Sequence, residues 1–237
     1  MNKFKILLFF TFINLNNAFM TYASSKLNNV QHTKIPQRDI FMVTNEICCG
    51  EESDPHAVHG VQTKDGDFIL SGKSIDKNRE ADGFVVKFPN LKTKQKYIWL
   101  IPDERYSYDW VYRFGTDGKK DGVNATAPLN GSLFVAGYKS NSESVVSRFL
   151  SKINLSDGTQ VWDKMFPSND RKSNSAYEDI QITSDNGLIL TGVTNAEHET
   201  FEGFKSYGNP TSGNLFVQYF ANSLLNDAIA PKKPTWE

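Results

Sequence analysis

The sequence is poor in the residues and motifs on which much enzymatic chemistry depends. It has two cysteines and four histidines in 237 residues. It contains no Gly-x-Ser-x-Gly, His-Glu-x-x-His, P-loop or dinucleotide-binding fingerprint, and no Asp-x-Asp/Asn ladder typical of a calcium loop. These absences give no support to the common hydrolase, zinc-protease and nucleotide-binding classes.

Excess positive charge is also lacking. Subtracting Lys3 and Lys5 of the N-terminal segment from the 26 basic side chains leaves 24, against 27 acidic ones. Nucleic-acid binding needs clustered positive charge, and the lysines and arginines are scattered. We therefore predict no nucleic-acid partner.

No apolar run reaches the roughly 20 residues that a membrane-spanning helix requires. The run Ile6–Ile13 follows Lys3 and Lys5 and precedes the small residue Ala23, a pattern typical of a secretory signal peptide. We predict a signal peptide over residues 1–23, no stable membrane anchor after its cleavage, and a secreted or periplasmic protein. The alternative is an N-terminal anchor helix that is retained.

Helical periodicity is scarce, whereas short apolar runs bounded by Gly, Asn, Asp and Ser are frequent from about Ile40. This pattern predicts an all-β fold. We predict a flexible lead-in over residues 24–40, repeats over 41–221 and a C-terminal tail over 222–237. The tail has the apolar spacing of a short helix at 222–230, which we expect to cover an exposed end.

One motif recurs along the chain. Thr63–Gly72 (TKDGDFILSG) is matched by Thr183–Gly192 (TSDNGLILTG) and, more weakly, by Asn130–Gly137. The closing glycines lie about 65 and 55 residues apart. Self-similarity at such periods indicates stacked supersecondary units, and we predict about three units of about four short strands each.

An aromatic strand ends each of the first two units. Trp162–Phe166 resembles Trp110–Phe114, which places an insertion near residues 97–108 of the first unit. Trp99 is the rival anchor for the same alignment.

The order W-x-x-x-F/Y-G-G, T-x-D-G-G-x-I-L-x-G and D-x-F-V-V-K resembles the blades of secreted β-propeller repeat proteins, grouped with the quinoprotein-dehydrogenase-like (PQQ-like) propellers. The matching residues are Thr63, Asp65, Gly66, Gly72, Asp82, Phe84, Lys87, Gly131, Gly137, Lys152, Trp162, Thr183, Asp185, Gly187 and Gly192. The resemblance implies a propeller, which closes with four to eight blades. Three units imply an oligomer that completes the ring, a truncated chain or a diverged fourth blade.

The only cysteines, Cys48 and Cys49, are adjacent. They could form a vicinal disulfide, bridge to other chains or stay reduced. Together with His56 and His59 they are ligand types for zinc or copper. The spacing matches no standard site, and alternation along a strand would place the two histidines on opposite faces. We predict no cofactor and keep these four residues as metal candidates.

Two further sets of residues are candidates for recognition. The densest aromatic cluster could offer a ligand-binding face and includes Tyr97, Trp99, Tyr106, Tyr108 and Trp110. Asn124, Asn130 and Asn154 are N-glycosylation sequons, which matter only in a eukaryotic source.

The function predicted from these observations is a non-catalytic scaffold that binds a protein or glycan partner through loops on one face. The loops over residues 97–109 and 194–213 are the expected contact regions. The alternative is an enzyme or enzyme remnant of quinoprotein-like or hydrolase type, using Cys48, Cys49, His56 and His59.

Overall fold

The computed structural model describes residues 54–75, 81–90, 108–115, 119–140, 145–168, 173–196, 213–226 and 228–237. These residues form eleven strands and one short helix, all within one compact unit. The prediction of an all-β fold is therefore confirmed for the described part of the chain.

The strands form three antiparallel sheets in which strands that follow one another in sequence are neighbours. The first sheet contains β1 (Asp54–Gln62), β2 (Phe68–Ile75), β3 (Ala81–Phe88) and β4 (Trp110–Phe114). The second contains β5 (Gly122–Leu129), β6 (Ser132–Ser140), β7 (Val146–Asn154) and β8 (Gln160–Phe166). The third contains β9 (Asn174–Ile182), β10 (Leu188–Ala196) and β11 (Asn214–Phe220). None of the three sheets closes on itself.

Tight turns connect the first two strands of each sheet. In the second sheet a two-residue turn, Asn130-Gly131, has φ values of 50° and 76° at its two residues, as an Asn-Gly hairpin requires. The motif turns of the first and third sheets share one backbone hydrogen bond with each other. The N–H of Thr63 donates to the carbonyl of Asp67 at 2.8 Å, and that of Thr183 donates to the carbonyl of Gly187 at 3.0 Å.

The closing glycine of the motif faces a β-bulge in every sheet. Gly72, Gly137 and Gly192 lie opposite the positions where β1, β5 and β9 change register. A Cβ atom on these glycines would lie 1.9, 2.1 and 2.1 Å from the backbone carbonyl oxygens of His56, Gly122 and Ala176, respectively. The bulges therefore exclude any side chain at the three positions.

The aromatic strands share one register. Lys87 pairs with Trp110 in the first sheet, and Lys152 pairs with Trp162 in the second. This register agrees with the alignment of Trp162 on Trp110 that the sequence favoured.

The third sheet receives a short piece of the C-terminal segment at the equivalent place. Tyr219 bridges to Trp236, and Thr235 N–H donates to the carbonyl of Tyr219 at 2.7 Å. The rings of Tyr219 and Trp236 are stacked with centroids 5.6 Å apart. The C-terminal residues therefore pair along β11 where β4 and β8 pair in the other two sheets.

Two apolar clusters lie between the sheets. The cluster between the first and second sheets includes Ile69, Val85, Trp110 and Phe149. The cluster between the second and third sheets includes Phe134, Leu150, Trp162, Leu188 and Phe220. Because each cluster draws side chains from two sheets, the sheets are held together by burial of apolar surface.

The C-terminal tail differs from the sequence prediction. The only helix among the described residues, α1, spans Asn222–Leu225 and is shorter than the expected 222–230. Leu225 is fully buried in the cluster between the second and third sheets. Its carbonyl accepts a 2.7 Å hydrogen bond from Lys152 Nζ. Leu225 thus attaches the helix to the second and third sheets, and the covering of an exposed end stays a prediction.

Candidate functional site on the first strands

Polar side chains gather where the first strands of the three sheets meet. Strand β1 contacts β5, and β5 contacts β9. His59 on β1, Asn124 and Thr126 on β5, and Glu178 and Asp179 on β9 are all buried or half-buried. We call these five residues the first-strand cluster. Buried polar groups need hydrogen-bond partners, and the partners of these five side chains determine which groups are left to bind a ligand.

His59 is held in one tautomer by Thr126. The backbone N–H of Thr126 donates to His59 Nδ1 at 3.3 Å, and the Thr126 hydroxyl lies 3.2 Å from the same nitrogen. An Nδ1 that accepts from a backbone N–H carries no proton, so the neutral ring carries its proton on Nε2. Burial lowers the pKa of His59, and the charge of Asp179 offsets this only in part. His59 is thus a neutral imidazole at neutral pH.

Asn124 connects the second and third sheets. Its Nδ2 donates to the carbonyl of Tyr177 at 2.7 Å and lies 3.4 Å from Glu178 Oε2. Turning the amide over would set two oxygens against each other, so the orientation is fixed by the Tyr177 carbonyl. Asn124 Oδ1 is enclosed and makes no hydrogen bond within the described part of the chain. It is an acceptor with unused capacity beside a carboxyl group.

Glu178 titrates in an unusual range for a carboxylic acid. Burial raises its pKa from 4.5 to about 7. Burial also raises the pKa of the nearby Tyr138 hydroxyl, and the charges of Asp121 and Glu178 add to that effect. At neutral pH the Glu178 carboxyl is therefore divided between its protonated and ionised forms.

The β-bulges position both residues of the contact between Asn124 and Glu178. Asn124 is the extra residue at the bulge of β5, where the register with β6 shifts between Val123 and Ala125. Glu178 is the extra residue at the bulge of β9, where the register with β10 shifts between Tyr177 and Asp179. A bulge re-aims the side chain of the extra residue. The same backbone irregularity that requires the closing glycines thus accounts for the placement of the site.

His56 and His59 lie on the same face of β1, contrary to the expectation from simple alternation. Their partners on β2, Lys73 and Ser71, are two residues apart and therefore share a face. The bulge at Val58 adds one residue between the histidines and restores their alignment. His56 is exposed, whereas His59 is bonded to Thr126.

The other metal candidates, Cys48 and Cys49, lie outside the described residues, as does their predicted disulfide. No group of three or more His, Cys, Asp or Glu side chains suited to a metal ion occurs among the described residues. Within the same residues no helix has the length and apolar character needed to cross a membrane.

The aromatic candidates separate into two sets. Tyr97, Trp99 and Tyr106 lie outside the described residues. Tyr108 is 43% exposed, whereas Trp110 is 8% exposed and packs between the first two sheets. The Trp110 Nε1–H donates to the carbonyl of Leu155 at 3.1 Å.

The three sequons differ in accessibility. Asn130 is exposed in its hairpin turn. Asn154 is half-buried, and its amide donates to the hydroxyl of Thr159 at 2.6 Å. Asn124 is 3% exposed and belongs to the first-strand cluster. In the folded chain Asn130 is therefore the most accessible acceptor of the three.

Thr126, Glu178 and Asp179 were not among the candidates from sequence, and Asn124 was a candidate only as a glycosylation sequon. The sequence does hold a signal for two residues of the cluster, because Asn124 and Glu178 lie 13 and 14 residues before a closing glycine, at the bulge of the preceding strand. The bulge itself is invisible in the sequence.

Comparison with models of known protein families finds no match for this chain. Comparison with curated protein sequences likewise finds no match. The functional argument therefore depends on the chain's own residues.

Proposed function

We propose that the chain is a secreted or periplasmic, non-catalytic scaffold of the β-propeller type that binds a protein or carbohydrate partner. The observation that carries this proposal is the first-strand cluster. It combines two half-buried groups, the Glu178 carboxyl that titrates near neutrality and the neutral His59 imidazole, with the buried Asn124 amide beside Glu178. A mixture of hydrogen-bond donors and acceptors of this kind favours hydroxyl-bearing ligands, so a carbohydrate is the favoured partner.

The propeller plan draws support from the packing of successive sheets. In the described residues each sheet follows the previous one in sequence and packs on it through an apolar cluster. The first strands adjoin one another, which is the arrangement around the axis of a propeller. Within the described residues our proposal is of three such units, none of whose sheets closes on itself.

Binding can be tested with a glycan array followed by calorimetry on the exported chain. We expect His59→Ala and Glu178→Gln to weaken binding at least about tenfold, because each removes a hydrogen-bonding group from the cluster. Lys64→Ala, in an exposed turn, is the control. Unchanged affinity in both cluster variants would reject this location. Tyr97→Ala and Trp99→Ala then test the loops favoured by the sequence.

An enzymatic function is the second candidate, because a partly buried carboxyl with a pKa of about 7 suits a general acid. Metal analysis of the exported chain, with and without His56→Ala and His59→Ala, tests the metal-dependent version. A stoichiometric metal lost in the double variant would favour the enzyme. Metal-free protein that binds a glycan without turning it over would favour the scaffold.

Export is testable in the same preparation. We expect the intact mass of the exported chain to begin after Ala23. The same spectrum reports the state of Cys48 and Cys49, since a vicinal disulfide lowers the mass by about two hydrogens. A mass that retains residues 1–23 would support the anchor-helix alternative.

A further inference from the structure

The chain contains two Asn-Gly steps, and each lies in a turn that connects the first two strands of a sheet. They are Asn130-Gly131 between β5 and β6 and Asn186-Gly187 between β9 and β10. Both asparagines are exposed and have left-handed backbone conformations, with φ values of 50° and 60°. An asparagine before glycine can lose its side-chain amide to attack by the next backbone nitrogen, because glycine has no side chain that obstructs the ring.

The two glycines have different surroundings. Gly131 is exposed, and no atom lies within 4 Å of the place that a Cβ atom would take. Gly187 is buried, and a ring carbon of Tyr219 lies 2.6 Å from the corresponding place. The backbone at Gly131 therefore has room to rotate, whereas the backbone at Gly187 is enclosed.

The backbone N–H groups of the two glycines also differ. The Gly187 N–H donates a hydrogen bond to the Asp185 carboxylate. Within the described residues the Gly131 N–H donates no hydrogen bond. The Gly131 carbonyl accepts from the N–H of Leu155 at 3.0 Å, but ring closure proceeds through the nitrogen and retains this carbonyl. Turning the glycine nitrogen towards the preceding side chain thus breaks a hydrogen bond of that nitrogen only at Gly187.

We propose that Asn130 is a self-modifying site that deamidates through a succinimide, whereas the fold protects Asn186. The Gly131 nitrogen attacks Asn130 Cγ, and the new C–N bond forms as the bond from Cγ to Nδ2 breaks. Nδ2 departs as ammonia, which carries away the amide proton of Gly131. Water then adds to either carbonyl of the five-membered ring and opens it, which leaves aspartate or isoaspartate at position 130.

The reaction changes the charge of a defined place in the fold. Asn130 lines a small cavity together with Ser132, Phe134, Lys152 and Leu225. The Lys152 Nζ donates to the Leu225 carbonyl at 2.7 Å. The modification therefore adds a negative charge to a cavity whose lining already carries a positive one.

The same reaction removes an acceptor for glycans. Attachment of an N-linked glycan to an Asn-x-Ser/Thr sequon requires the asparagine amide, which deamidation destroys. In a eukaryotic source, glycosylation and deamidation of Asn130 therefore exclude each other.

The test is peptide mass spectrometry on the chain exported by a bacterium that attaches no N-glycans. Folded protein is incubated at neutral pH for a series of times and then digested with trypsin under mildly acidic conditions. The two asparagines fall in separate fragments, residues 121–139 and 173–205. Deamidation raises the mass of a fragment by about one unit. We expect Asn130 to react at least about tenfold faster than Asn186, because reaction at Asn186 requires local opening of its turn.

Two controls show whether the fold causes the difference. Asn130→Gly places another residue that accepts a positive φ in the turn, and it should abolish the mass gain of fragment 121–139. In denaturing urea the two rates should agree within about threefold, because the unfolded chain exposes both turns. Circular dichroism checks that the parent and the variant are folded. Equal rates in the folded parent, a mass gain that persists in Asn130→Gly, or a rate difference that persists in urea would each overturn the proposal.

Discussion

At the scale of single residues, the backbone of a neighbouring strand decides which side chain is allowed. Gly72, Gly137 and Gly192 have ordinary extended conformations, since none has a positive φ. They are glycines because a carbonyl oxygen from the bulged first strand occupies the place of a Cβ atom. The constraint is therefore steric contact rather than conformational freedom.

We predict that Gly137→Ala lowers the free energy of unfolding by more than about 3 kcal/mol, because the methyl group would meet the Gly122 carbonyl, which cannot move without breaking the bulge. Gly60→Ala is the matched strand control. Its methyl group would meet the flexible end of Leu70 at 3.3 Å and make ordinary contact with the Ile69 carbonyl oxygen at 3.9 Å, so the change should stay within about 1 kcal/mol. Urea denaturation measures both, and equal effects would contradict the steric explanation.

We predict that Glu178→Gln flattens the pH dependence of stability. Between pH 4.5 and about 7 only the unfolded state loses the proton, so the free energy of unfolding falls as pH rises through this interval. The total fall is about 3 kcal/mol. Glutamine cannot ionise, so the free energy of unfolding of the variant should match that of the parent at pH 4 and exceed it at pH 8.

Urea denaturation at pH 4, 6 and 8 gives the difference in unfolding free energy between Glu178→Gln and the parent. The contribution of His59 has the opposite sign, because its lowered pKa makes the folded state lose stability as pH falls below 6.5. Taking the difference removes the His59 contribution, which is common to both proteins. Parallel pH profiles would show that Glu178 ionises freely in the folded chain.

At the scale of elements, each sheet places a tryptophan at the same register position beside its third strand, and the three rings differ in how far they are buried. Trp110 and Trp162 fill clusters between sheets, and Trp236 occupies the corresponding place without a sheet against it. The pattern Trp-x-x-x-Phe therefore marks a packing position, and its contribution to stability depends on the sheet that follows.

We predict that Trp162→Ala costs about 3 to 5 kcal/mol of unfolding free energy, because it empties a site beside Phe134. Trp236→Ala should cost less than about 2 kcal/mol, because half of that ring is already in solvent. Both are measured by urea denaturation at one protein concentration. A larger effect at Trp236 would mean that its ring is covered in the monomer.

The elements were predictable to different degrees. The motif Thr183–Gly192 identifies a turn and the strand that follows it, because both have local signatures in Asp, Asn, Gly and alternating apolar residues. The strand β11, Asn214–Phe220, likewise has a local signature in its run of apolar and aromatic residues. The contacts of the first-strand cluster were not predictable, because Asn124 and Glu178 meet across two sheets and are placed by bulges.

At the scale of the whole molecule, the described sheets share their two large hydrophobic clusters rather than each enclosing one. Each of the two large clusters takes side chains from two sheets, and the second sheet contributes to both. Loss of the second sheet would expose both clusters at once, which couples the first sheet to the third.

We predict that the chain unfolds in one cooperative transition. Tryptophan fluorescence follows the intersheet clusters through Trp110 and Trp162, whereas far-ultraviolet circular dichroism follows the strands themselves. The two midpoints in urea should coincide, as expected for one two-state unit. Separate transitions would show that one sheet can detach while the others remain folded.

The position of Trp236 also makes it an intrinsic optical probe. Among the described tryptophans it alone is half exposed, whereas Trp110 and Trp162 are enclosed. A small collisional quencher in the solvent would therefore dim Trp236 in preference to these two. The emission that is lost would report, without any added dye, on whatever occupies the surface beside Tyr219 at a given moment.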